Sequence, residues 1–208
     1  MNDTANDTMY TATDDPTSQT PRVSRRAWLG VAAVFTGMVA SLWPRTERRR
    51  ALRPPAALPE AAFLQRCIRC YRCAEVCPVK AIRFDVGSSL GTRDTPLIIA
   101  SDRACIACMA CTTACPTGAL TPTSSDPQIV ATTVRMGVPV LNRGKCLAWT
   151  GKGICRLCYY VCPYPERAVR LDGVRQGPLF NADACIGCGL CEEACPTSAR
   201  AIHIEPVT

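Results

Sequence analysis

Cys67, Cys70, Cys73 and Cys77 are followed at once by Pro78. The same phrase returns as Cys105, Cys108, Cys111 and Cys115 with Pro116, and again as Cys185, Cys188, Cys191 and Cys195 with Pro196. Between these last two lies a stretched copy, Cys146, Cys155, Cys158 and Cys162 with Pro163, whose first gap is eight residues instead of two. In chain order these are motifs one, two, four and three, and together they use all sixteen cysteines. Thiolates are soft ligands for iron, and Cys-x2-Cys-x2-Cys-x3-Cys-Pro is the spacing that holds [4Fe–4S] cubanes. Three cysteines three residues apart wrap a loop around one face of a cubane, with intervening N–H groups aimed at sulfur. The fourth sits past a turn made by proline and reaches the neighbouring cluster, so motifs work in pairs.

Two other readings of the cysteines are weaker. Structural zinc uses separated Cys-x2-Cys pairs and does not account for a third cysteine and a proline repeated in step. A disulfide framework fits an even cysteine count but has no need to repeat one ligand phrase. With every cysteine given a ligand role and no nucleophile–base set visible, the chain reads as an electron carrier with four [4Fe–4S] clusters, not an enzyme.

The motifs need short elements to position them. Pro139 to Asn142 precedes motif three, and Ala168 to Leu171 follows it. Pro178 to Asn181 precedes motif four, and Ala201 to Ile204 follows it. The order strand, cluster loop, short helix, strand is thus given twice. Ile82 to Phe84 and Leu97 to Ile99 frame the first pair more loosely, and Pro59 to Gln65 reads as a helix. The expected fold is α+β: two tandem bacterial-type 2[4Fe–4S] ferredoxin-like modules after an N-terminal signal or anchor segment. Pairing motif one with two and three with four gives the ligand sets Cys67, Cys70, Cys73, Cys115; Cys105, Cys108, Cys111, Cys77; Cys146, Cys155, Cys158, Cys195; and Cys185, Cys188, Cys191, Cys162. A nested pairing, one with four and two with three, is the alternative.

Composition agrees with a scaffold built on clusters. Four Phe, five Tyr and three Trp in 208 residues cannot build a large core, and small modules need such staples. The formal charge of +7 omits the cofactor. Residues 1–41 hold 3 basic and 4 acidic groups, which leaves 21 and 13 in the remainder, a balance of +8. Four oxidised clusters with their thiolates add about −8. The arginines therefore offset cluster charge, and nucleic acid is not an expected partner.

Residues 1–26 read from their composition as a polar, disordered tail that ends on Ser24-Arg25-Arg26. An apolar stretch, 27–43, follows. It suits a signal h-region better than a full span of ~20 residues, and the twin arginines mark the export route for folded proteins. The protein is then periplasmic, with the segment either cleaved or kept as an anchor. Residues 44–62 read as a basic, proline-rich linker, either simply solvated or touching lipid or a partner. The modules follow at 63–130 and 131–208. His203 alternates with Ile202 and Ile204, as a solvent-side strand residue does. Trp149, Tyr159 and Tyr160 are expected to pack over the clusters, with a role in electron exit as the lesser alternative. Trp149, in the long gap of motif three, serves either as a docking face or as a lid on one cluster.

The twin-Arg leader, Leu52-Arg53-Pro54-Pro55 and Phe63 ahead of four motifs, and above all Arg135 to Leu141 followed by Cys146-Leu147, Gly153 and Cys155-Arg-Leu-Cys158-Tyr159 with Cys162-Pro163, resemble the NapG/MauM family of ferredoxin-type proteins. The resemblance implies a place beside a membrane-bound quinol dehydrogenase of the NapH/MauN type. Electrons would pass from quinol to a periplasmic redox enzyme or cytochrome, in a nitrate reductase-type or a methylamine dehydrogenase-type system. The rival role is an assembly or maturation factor whose clusters are structural or redox-sensing.

Overall fold

A computed structural model describes residues 51–84 and 92–207. Arg25-Arg26, the apolar stretch 27–43 and the first part of the expected linker lie outside them. Among the described residues, no helix is long and apolar enough to cross a membrane.

The elements are short, three to seven residues each, and the cluster loops run between them. Helix α1 spans Glu60–Arg66, with Glu60 in its first turn, Arg66 in its last and Phe63 fully buried. This charge order suits the helix dipole. Helix α2 (Arg72–Glu75) and helix α3 (Ala110–Ala114) carry the third cysteines of motifs one and two. Helix α5 (Leu157–Tyr160) and helix α6 (Leu190–Glu193) do the same for motifs three and four. Strands β1 (Ile82–Phe84) and β2 (Pro96–Ile98) form one antiparallel pair. Strands β4 (Val169–Leu171) and β5 (Pro178–Phe180) form a second. The third joins β3 (Gly137–Leu141) to β6 (Ile202–Pro206), from Gly137 opposite Pro206 to Leu141 opposite Ile202. The strand that enters motif three is thereby tied to the strand that leaves motif four, which closes that module.

The first module closes differently. Where β3 would have its counterpart, Ala57 forms a single bridge with Leu120. Leu58 N–H donates to Ala119 O at 3.1 Å and Thr121 N–H to Ala56 O at 2.8 Å. The expected linker 44–62 is therefore corrected over its described part. Residues 52–55 are buried, and Arg53 is 1 % exposed. Arg53 donates to both carboxylate oxygens of Glu60 (2.9 and 2.6 Å), to Thr95 Oγ1 (2.9 Å) and to Pro96 O (2.8 Å), with Phe63 beneath it. A run of prolines and arginines has the composition of a linker, but one buried fork that makes four hydrogen bonds turns it into structure.

Helix α4 (Pro127–Thr133) was not anticipated. Asp126 caps it, accepting from Gln128 N–H at 2.7 Å and Ile129 N–H at 3.2 Å, with Pro127 in the first turn. An Asp-Pro pair at a helix start is legible in principle. The expected module boundary at 130/131 falls inside this helix. Its Val130, with Val134, packs with Leu52, Ile98, Met109, Met136 and Ile186, so one core runs through both modules.

Four cysteine-walled sites and their setting

The cysteines gather around four cavities. Site I is walled by Cys67, Cys70, Cys73 and Cys115, together with Phe63, Ile68 and Tyr71. Site II has Cys77, Cys105, Cys108 and Cys111 with Val79, Ile82 and Met109. Site III has Cys146, Cys155, Cys158 and Cys195 with Leu147 and Leu157. Site IV has Cys162, Cys185, Cys188 and Cys191 with Ala168, Phe180 and Leu190. Each site takes three cysteines from one motif and the last cysteine of its tandem neighbour. The nested arrangement is not what the fold produces.

Local backbone geometry explains how the loops curl. Arg69 and Tyr71, Ala107 and Met109, and Gly187 and Gly189 all have positive φ, between 56° and 87°. Their N–H groups turn inward: Ala107 N–H lies 3.3 Å from Cys105 Sγ and Gly187 N–H 3.4 Å from Cys185 Sγ. The fourth cysteines receive amides from further along, Ala81 to Cys77 at 3.3 Å, Leu120 to Cys115 at 3.5 Å and Ala201 to Cys195 at 3.4 Å. Motif three has neither of these left-handed residues: Ile154, before its second cysteine, is not at positive φ, and Arg156, after it, has φ −129°.

Sites II and IV meet at a seam between the modules. Cys105 N–H donates to Cys188 O at 3.0 Å, and Met136 N–H donates to Ile186 O at 2.9 Å. Glu193 accepts from Ala104 N–H at 3.0 Å, and Arg200 reaches Ser101 O at 2.8 Å. The two glycines of motif four are explained by crowding more than by φ, since bulkier residues adopt the same φ in motifs one and two. A Cβ on Gly189 would lie 2.5 Å from Ala100 Cβ, and one on Gly187 would strike the Gly137 backbone.

The family model described as a 4Fe-4S dicluster domain matches residues 66–119 and again 104–165, and the 4Fe-4S binding domain matches 178–201. The chain is 36% identical over 189 residues to the methylamine utilization ferredoxin-type protein MauM of Methylophilus methylotrophus, covering 86% of this chain and 81% of that one. It is 34% identical over 214 residues to the ferredoxin-type protein NapG of Escherichia coli (strain K12), covering 92% and 89%. MauM of Methylorubrum extorquens is 38% identical over 173 residues, covering 76% and 73%. The chain belongs to the NapG/MauM family of ferredoxin-type proteins. It is an iron–sulfur electron carrier with four [4Fe–4S] clusters, not an enzyme. The second dicluster match runs from motif two into motif three, whereas the cavities of this NapG/MauM member pair three with four.

The donor sets suit the cofactor. No histidine or carboxylate joins the cysteines, and among the described residues no group of three or more His, Cys, Asp or Glu could hold a metal ion. Four cysteines to a site, with no other ligand type, is the donor set that a [4Fe–4S] cluster takes. Burial, reinforced by neighbouring thiols, pushes Cys73 and Cys105 up to about 11 and Cys111, Cys158 and Cys188 up to about 12. Cys191 is likewise pushed well above its ordinary value, by burial first and then by neighbouring thiols. Packing four would-be thiolates together in this way is stable only with a cationic core among them. In addition, Arg156 Nε, flanked by two residues that wall site III, is buried without a partner among the described residues. A sulfide-bearing cluster supplies the acceptor type it lacks. At Cys115 burial alone would raise the thiol, but the Leu120 amide and the Thr117 hydroxyl outweigh it and hold the thiol below its ordinary value. At Cys195 the Thr197 hydroxyl and nearby amides outweigh burial in the same direction.

Exposure differs among the sites. Cys70 of site I and Cys108 of site II are exposed, whereas Cys185, Cys188 and Cys191 of site IV are buried. Ile68 and Ile106, next to the first cysteines of motifs one and two, are 62% and 46% exposed, while Ile186 in motif four is 2% exposed, at the seam.

The residues singled out in motif three separate. Trp149 is half-buried: its Nε1–H donates to Pro178 O at 3.3 Å, Arg143 stacks on it at 4.3 Å, and Gly177 leaves room for its ring. It packs with Cys146 and Cys195 of site III. Tyr159 and Tyr160 do not pack over a cluster as expected. Tyr159 Oη donates to Glu166 at 2.6 Å, and Tyr160 is 67% exposed. Helix α5 is one turn long and buries Cys158 alone. His203 lies on the exposed side of β6, its Nδ1 3.5 Å from Glu192.

Proposed function

We propose that this chain is a periplasmic carrier that takes electrons from a membrane quinol dehydrogenase of the NapH/MauN type. It delivers them to a periplasmic redox enzyme or cytochrome. The observation that carries the reading is the crossing of four quartets: all sixteen cysteines wall a site, and none is left over for another task. In this reading these sixteen cysteines are the iron ligands, in the sets of sites I to IV. The bound clusters supply one-electron redox chemistry. The chain supplies the rest. Inward amides offset thiolate charge, Phe63, Ile82 and Phe180 keep water from the sites, and the seam holds sites II and IV in register. Export through Arg25-Arg26 ahead of a short apolar stretch lets clusters be inserted before the protein leaves the cytoplasm.

The test is anaerobic purification followed by reduction on membranes. About sixteen iron and sixteen sulfide per chain are expected, with bleaching on addition of quinol in the presence of the dehydrogenase. Stoichiometric zinc overturns the ligand reading. Full iron content with no reduction by any quinol overturns the carrier role and leaves the assembly role. Replacing Arg25 and Arg26 with Lys is expected to retain the protein in the cytoplasm, and unchanged delivery refutes the export route.

A further inference from the structure

Two places after the fourth cysteine of each motif stand Val79, Thr117, Tyr164 and Thr197. Thr117 Oγ1 lies 3.7 Å from Cys115 Sγ, and Thr197 Oγ1 lies 3.2 Å from Cys195 Sγ. Val79 has no side-chain donor, and the Tyr164 hydroxyl is turned away, donating to Pro127 O at 3.0 Å. Because the fourth cysteines cross over, Cys115 walls site I and Cys195 walls site III. Both hydroxyls therefore fall on the two sites that do not meet at the seam.

An iron-bound thiolate has no proton, so the hydroxyl must donate. At Thr197 the direction is set from the other side as well. Ala201 N–H donates into Thr197 Oγ1 at 3.0 Å, which occupies an acceptor position and leaves the hydroxyl hydrogen for sulfur. A backbone amide reaches the fourth cysteine with or without a neighbouring hydroxyl, Leu120 N–H at Cys115 of site I and Ala81 N–H at Cys77 of site II, while at Cys195 the Ala201 N–H is shared between Sγ and the Thr197 hydroxyl. Reduction adds negative charge that spreads onto the ligand sulfurs, and a donor to sulfur favours the reduced form.

We propose that Thr117 and Thr197 are tuning residues that hold the reduction potentials of sites I and III above those of sites II and IV. A partly reduced protein then keeps its electrons at the two outer sites. The inference rests on the ligand sets proposed above.

The test is an EPR-monitored potentiometric titration of the full holo-protein with Thr117→Val and Thr197→Val, each checked for iron content. Each variant is expected to lower one midpoint, a different one in each case. The change in the reduced-to-oxidised ratio at fixed poise should be about tenfold, equivalent to ~59 mV for one electron. Thr→Ser at either place is expected to restore the parent value, and Val79→Thr to raise a third midpoint, that of site II. Four unmoved midpoints in both Val variants overturn the proposal, as does a common shift of all four. Should a Val variant lose iron, Val79→Thr decides, and no rise there overturns it. Shifted midpoints in a protein that no quinol reduces would sink the carrier reading and leave this one standing.

Discussion

Replacing Gly189 by alanine isolates what the seam is worth. Gly189 has φ +87°, and its added Cβ would come 2.5 Å from Ala100 Cβ, 3.4 Å from Ala100 Cα and 3.6 Å from Ala104 Cβ. Ala100 and Ala104 are 6% and 1% exposed, so neither can step aside without moving what packs behind it. Gly151 is the matched control: it has φ +72° and nothing within 4 Å of the position its Cβ would take. Placing alanine at positive φ costs ~1 kcal/mol in both. Overpacking a closed contact adds ~1–3 kcal/mol at Gly189 alone. The seam must open to relieve it, which strains the Cys105 N–H to Cys188 O bond at 3.0 Å. Iron–sulfur proteins lose their clusters on unfolding, so the appropriate measurement is a rate. Anaerobic bleaching in guanidinium should be up to about tenfold faster in Gly189→Ala than in Gly151→Ala for each ~1.4 kcal/mol of difference. Magnetic interaction between reduced clusters of the two modules should weaken in the first variant only. Equal rates and equal EPR spectra in the two variants refute the reasoning.

Trp149→Ala removes a half-buried ring seated on Gly177 beside Cys146 and Cys195; a loss of ~2 kcal/mol and faster oxidative loss of about four iron from site III are expected. Unchanged iron retention with slowed electron delivery would instead make Trp149 a docking residue. Arg53→Met strands Thr95, Pro96 O and Glu60, whose partners it removes; a loss of ~3 kcal/mol is expected, with iron released first from site I, which Phe63 and Pro96 wall. Arg53→Lys should recover only part of that loss, because an ammonium cannot fork, and full recovery in anaerobic iron-release assays would show that charge alone matters.

The cysteine spacing pointed to four cysteine-walled sites but left open whether neighbouring or nested motifs share them. A loop of Cys-x2-Cys-x2-Cys can close on one centre only, and the proline forces the fourth cysteine outward. Strand placement was legible around motifs three and four, where β3, β4, β5 and β6 lie, but not which strand pairs with which. It failed at the first module's entrance because Leu52-Arg53-Pro54-Pro55 has no periodicity. That segment's place depends on Glu60, Thr95 and Pro96 O, the last two some forty residues distant. The function of Gly187 and Gly189 was half legible. Glycine signals close approach, but what approaches is Gly137 in one case and Ala100 in the other, and sequence offers no sign of either. Trp149 left two roles open because a ring in a long loop has the same sequence whether it faces outward or is seated on a hairpin.

The basic excess has a cause that cofactor charge alone does not supply. Each amide turned toward sulfur is one that cannot serve a backbone carbonyl, and helices of four or five residues leave most of their carbonyls without an intrahelical partner. A loop-rich cluster fold therefore has a surplus of acceptors. Arg200 Nη1 takes the carbonyls of Glu192, Glu193 and Cys195 at 2.6–2.9 Å, around the end of α6, while its Nη2 takes Ser101 O across the seam. Arg135 takes Ala131 O and Val134 O at the end of α4, then Asp183 O just before motif four. Arg69 takes Arg93 O, Arg175 takes Trp149 O and Arg170 takes Glu166 O. Lysine offers three donors from one point, whereas the guanidinium spreads five over a plane wide enough to bridge chain segments. The arginines thus do two things with one group: they balance the negative clusters, and they satisfy the carbonyls whose natural partners the clusters have drawn away.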